Sequence, residues 1–260
     1  MIPFYSDAKS GPGKTAESHA TEAVLNAVML AAYDARTGHL RPITRTAFDN
    51  AWALQEDSGP LAGAWKWQDF HLAPWESSDS NYQGAALFMV EALNAPGGYA
   101  TAPATRPHLN RLRVYLRREY AAQPLMNQLY ILWASAKDPS LLPAPARKAL
   151  LAAIQAQQQP DGGWRMLAIE KHERKDHSPE PPDSDGYATG LTVLALEESG
   201  TPRTNPLLKS GLTWLTAHQH KDGTWVAASM NKERDPETDA AIFMTDAATA
   251  YAVLALEQAK

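Results

Sequence analysis

One phrase is written twice in this chain, and it constrains the fold more than anything else in the sequence. Gln158-Gln159-Pro160-Asp161-Gly162-Gly163-Trp164 and Gln219-His220-Lys221-Asp222-Gly223-Thr224-Trp225 both read Gln-x-x-Asp-Gly-x-Trp. Each follows an apolar helical stretch and leads through a polar loop to a segment rich in small residues. Those segments, Tyr187 to Glu197 and Ala247 to Glu257, both close on Leu-Ala-Leu-Glu, 60 residues apart. A looser copy runs from Gln55 to Trp65 and precedes Tyr82 to Leu93. A unit that recurs at this spacing cannot bury its apolar face alone and must stack on its neighbours.

The apolar periodicity predicts helices near 15–34, 43–56, 80–95, 106–119, 123–137, 144–158, 185–199, 205–219 and 243–258. Thr15 and Asp79 read as N-caps, and Pro145 and Pro206 stand near first turns. Gly38, Gly97 and Gly200 follow helix ends. No segment sustains a period of two, so no significant sheet is expected. The segments at 15–34, 80–95, 123–137, 185–199 and 243–258 are apolar on several faces, as helices buried on more than one side are. The others are amphipathic. The expected architecture is an inner ring of helices wrapped by an outer one, from residue 15 to 260, after an N-terminal loop at 1–14. The predicted helices are too few for six closed pairs, so the ring is smaller, open or completed by a partner chain.

The repeated turn has a physical task. Its Gly leaves the helix in a left-handed conformation. The Trp then packs back, and the Gln amide reaches a neighbouring helix terminus. Gln158, Trp164, Gln219 and Trp225 are thus read as structural.

A net charge of −5 gives nucleic acid no bulk attraction. There is no cysteine, which excludes disulfides, thiolate nucleophiles and Cys-based zinc sites. No uninterrupted apolar run reaches transmembrane length, because Glu22 and Asn26 break the longest one. Gly11-Pro-Gly-Lys-Thr15 lacks the first Gly and the preceding strand of a phosphate loop. Neither His172 with His177 nor His218 with His220 places two imidazoles on one helical face, so no metal or other cofactor is expected.

The run Lys209-x-Gly211-Leu212-x-Trp214-Leu215-x-x-x-Gln219-x-x-Asp222-Gly223-x-Trp225 resembles the QW repeat of squalene-hopene and oxidosqualene cyclases. The chain is therefore similar to the α/α-toroid of the squalene-hopene cyclase and prenyltransferase family. The prenyltransferase branch binds zinc through an Asp, a Cys and a His, and is disfavoured here. The phrases Glu17 to Asn26, Asn231 to Pro236 and Phe243 to Thr249 also resemble squalene-cyclase-like domains fused to bacterial c-type cytochromes. This chain has no Cys-x-x-Cys-His haem site.

The resemblance implies a central cavity that acts on or binds an isoprenoid or other apolar ligand. Class II terpene cyclases protonate their substrate with the middle Asp of Asp-x-Asp-Asp. The matching residues are Asp183-Ser184-Asp185-Gly186, which would make Asp185 the acid and Asp183 its neighbour. Gly186 stands where the last Asp is expected, and the residue-level alternative is an N-cap pair. If the toroid closes, the starts of its inner helices meet at one mouth. That would gather Glu17, His19, Glu22, Trp67, Trp75, Glu76, Asp79, Tyr82, Tyr187 and Asp246 as ligand-binding groups. The Pro-rich segment from Glu170 to Asp185 is then either a lid or a solvated loop. The rival readings are a non-catalytic binding module that meets a redox partner or the membrane surface, and a hydrolase or lyase on a polar substrate.

Overall fold

The computed structural model describes residues 6–170, 174–179 and 181–258. His172 and parts of the 1–14 and 170–185 segments lie outside them. Among the described residues the chain is all-α, with helices α1 (Asp7–Ser10), α2 (Lys14–Thr37), α3 (Pro42–Ala53), α4 (Ser80–Asn94), α5 (Arg106–Glu119), α6 (Leu125–Ala134), α7 (Ala144–Gln157), α8 (Met166–Ile169), α9 (Gly186–Glu198), α10 (Pro206–Ala217) and α11 (Asp239–Gln258). Short 3-10 turns at Tyr99–Thr101, Tyr120–Ala122 and Pro139–Leu141 complete it. The only extended pairing described is an isolated bridge between Leu72 and Glu76.

The helices fall into two compact units, residues 1–123 with 137–141, and residues 124–136 with 142–260. In the first, α2 packs against α3 and α4, and α4 against α5. An aromatic core fills it. Phe48 stacks on Tyr99 with ring centroids 4.3 Å apart, and Trp52 donates its indole N–H to the Tyr99 hydroxyl at 2.8 Å. Trp65 is 1% exposed, and its indole donates to Ala51 O. A buried Trp removes roughly 150–250 Å² from water, worth at most about 4–6 kcal/mol at about 25 cal/mol per Å². The buried Asp34 accepts from the backbone and the guanidinium of Arg41, fixing the turn from α2 into α3.

In the second unit α9 is packed by α6, α10 and α11. Almost its whole length is buried, from Gly186 to Leu196. Gly190 lets α11 approach, since a Cβ there would meet Ala252 N at 2.7 Å.

Several expectations need correction. Thr15 is not an N-cap. Gly13 holds that position, and Thr15 exchanges two hydrogen bonds with Asp7. Asp79 occupies the N-cap of α4, but its carboxylate accepts from Ser77 Oγ and makes no cap bond. Helices α2 and α11, expected to be buried on more than one side, also carry exposed apolar residues. Met29 and Tyr33 of α2, and Ile242, Phe243 and Val253 of α11, are exposed. By length and composition α11 is also apolar enough to span a membrane over Asp239–Glu257, despite its interrupting acids.

Candidate functional site

The repeated turn behaves as its residues require. Gly63, Gly162 and Gly223 have φ of 96°, 94° and 90°, a region open to glycine. The Trp164 and Trp225 indoles donate to Ile154 O and Leu215 O, the ends of the helices that each turn leaves. Their backbone N–H groups donate to Thr189 and Thr249 Oγ1. Each Trp thus joins the turn to the following apolar helix.

Asp185 stands where the second turn meets α9. It is the N-cap, with Oδ1 accepting from Tyr187 N and Ala188 N at 3.0 Å each. Oδ2 accepts from Met166 N at 2.7 Å. Its own N–H donates to Trp164 O, and Gly186 N donates to Val226 O. A Cβ on Gly186 would meet Trp225. The buried carboxyl is therefore held by the backbone of α9 and of the Met166 segment, with the Trp164 and Trp225 loops bonded to the adjoining backbone. Burial pushes its pKa up to about 7, although three backbone donors pull the other way. Asp183, expected as its neighbour in acid chemistry, is exposed, and Gly186 brings no second carboxylate.

Two residues on, Tyr187 enters a cluster that the sequence did not reveal. Tyr130 Oη lies 3.1 Å from Tyr187 Oη and 2.8 Å from Tyr251 Oη. The rings come from α6, α9 and α11. Those of Tyr187 and Tyr251 meet edge to face at 5.1 Å. Tyr130 and Tyr187 are buried, and Tyr251 is half-buried. Asp246, expected beside Tyr187, is exposed on α11. Part of the Pro-rich segment is held by Arg174, 7% exposed, whose guanidinium donates to Ser229 O, Ser178 Oγ and Pro179 O.

In the first unit the loop before α4 gathers four of the expected residues. The Trp67 ring packs against Gly84, where any Cβ would meet it, and its indole donates to Trp75 O at 2.9 Å. Burial raises the Glu76 pKa, opposed by Lys14. Asp79 closes the loop through Ser77. Lys14 ties this loop to α2 by donating to Glu17 at 2.5 Å and Asp69 O at 2.6 Å, with its ammonium 4.6 Å from the Phe70 ring centre. Tyr82 is turned away. It is fully buried, and its hydroxyl donates to Leu116 O on α5, which makes it a core residue. His19 and Glu22 line a different feature, a groove of about 680 Å³ between α2 and α3.

Residues 185–260, from Asp185 through α11, match the family model for the squalene-hopene cyclase C-terminal domain. That stretch, 76 of the 260 residues, is squalene-cyclase-like, and the all-α build of the described residues is consistent with such domains. The match begins at the capping Asp185 and takes in α9, α10, the Gln219–Trp225 turn and α11. Comparison with curated proteins gives no match.

Proposed function

We propose that this squalene-cyclase-like chain binds an apolar, isoprenoid-type ligand against the tyrosine cluster of its second unit, with Asp185 capping α9 beside it. The observation that carries this reading is the joining of Tyr130, Tyr187 and Tyr251 from three helices, with Tyr251 half-buried. A half-buried aromatic edge with a polar tip suits a ligand that is mostly hydrocarbon. Family likeness supplies the ligand class.

Proton-initiated cyclisation at Asp185 is a second reading, favoured by one observation. A carboxyl with a pKa near 7 carries its proton in a share of molecules at neutral pH. Two facts weigh against it. Both oxygens already accept backbone N–H groups. Protonating an alkene also calls for a strong acid, and raising the pKa from 3.8 to about 7 weakens this one.

Titrating the chain with squalene and with geranylgeraniol, followed by intrinsic fluorescence, tests the binding reading. Saturable binding is expected, weakened about tenfold in Tyr251→Ala, as loss of one aromatic contact of about 1.4 kcal/mol would do. Flat titrations with both compounds would overturn it.

A further inference from the structure

The three Gln–Trp turns differ in what rests on them. Gln55 Nε2 donates to Gly63 O and, at 3.1 Å, to His108 O. Gln158 Nε2 donates to Gly162 O and, at 3.0 Å, to Leu207 O. His108 and Leu207 each follow the proline that opens an amphipathic helix, Pro107 in α5 and Pro206 in α10. Four residues past those prolines, the carbonyls of Arg111 and Ser210 press on Gly63 and Gly162, where any Cβ would meet them. Eight residues past Pro206, Trp214 Nε1 donates to Asp161 at 3.0 Å.

The third turn has the same groups without that cover. Gln219 Nε2 donates to Gly223 O at 3.1 Å, and Asp222 accepts from Thr224 of its own turn. A Cβ on Gly223 would approach only the Gln219 amide, at 3.9 Å. Gln219 and Asp222 are exposed. Conversely, α3 opens with Pro42 and has no such turn before it. Its Pro42, Ile43, Thr46 and Asn50 are all exposed. They occupy the positions that Pro206, Leu207, Ser210 and Trp214 hold in α10.

We infer that the Gln219–Trp225 turn receives α3 of a second copy of this chain. The Ile43 carbonyl accepts from Gln219, Thr46 sits over Gly223, and the Asn50 amide donates to Asp222. The same approach lays α11, with its exposed Ile242, Phe243 and Val253, along the groove floored by Ala23, Leu30 and Ala47 between α2 and α3. The two copies use different surfaces, so the contact is head-to-tail and closes into a ring or extends into a chain.

Because the chain has no cysteine, single introduced ones are clean probes. A mixture of Thr46→Cys protein and Lys221→Cys protein, treated with a short bis-maleimide, is expected to give mixed cross-linked dimers. The sedimentation coefficient of the unaltered chain is expected to rise with concentration. Adding Ile43→Arg to the Thr46→Cys protein, with helix content checked by circular dichroism, should abolish the mixed dimers. A chain that stays monomeric across the series without mixed dimers overturns the inference. So does a Thr46→Cys/Lys221→Cys double variant that cross-links within one chain, because the occupant is then its own α3.

Discussion

The repeats at 158–198 and 219–258 share their motif yet resolve it differently. In both, Trp is buried beneath its own helix end and bonded to a Thr of the next apolar helix. The difference lies in the groups that face outward. Gln158 and Asp161 reach α10, while Gln219 and Asp222 stay within their own turn and are exposed. The helix starts differ too. Asp185 caps α9 at Gly186, whereas α11 has Thr245 in the matching place and begins at Asp239. The motif therefore fixes the turn and the indole, and its neighbours decide the rest.

Removing the indole should strike both copies alike. Trp164→Ala and Trp225→Ala are each expected to lose about 3–5 kcal/mol in denaturant unfolding. A marked inequality would break the shared part of the comparison. Asp185 should set the second repeat apart in its pH response. Its pKa is raised in the folded state, so its stabilising contribution is full below about pH 4 and fades as pH rises towards about 7. Relative to Asp185→Asn, the unaltered chain should therefore lose stability across that window, by at most about 1.4 kcal/mol per pH unit. A difference that does not vary with pH would remove the buried carboxyl from the account. The smallest effects should be the most telling. Gln158→Ala is expected to cost about 1–3 kcal/mol, because it leaves carbonyls of two segments without their donor. Gln219→Ala, measured on dilute protein, should stay within about 0.5 kcal/mol. Equal costs would mean that the third turn is covered as well as the second.

Much of this was legible in the residues. Apolar periodicity, Pro at first turns and Gly after last turns located the long helices, α5 to the residue. The Gln-to-helix bond followed from the motif's chemistry and holds at Gln55 and Gln158. What failed depended on facing. Tyr82 and Tyr187 stand alike near the starts of apolar helices, yet one hydroxyl meets a carbonyl of α5 and the other joins Tyr130. The tyrosine cluster draws on residues 121 positions apart, and no local pattern encodes that meeting. The exposed sides of α2 and α11 were missed because hydropathy reports how apolar a helix is, not whether the chain supplies a neighbour for each face.

The Asp185 carboxyl serves either the backbone or a substrate. Incubating the unaltered chain and Asp185→Asn with squalene, and measuring bound ligand and cyclised product together, addresses this directly. The expected result is similar affinity in both and no product that depends on the carboxyl. A cyclised product made by the unaltered chain and lost in Asp185→Asn, with binding intact, would contradict the cap and establish the acid.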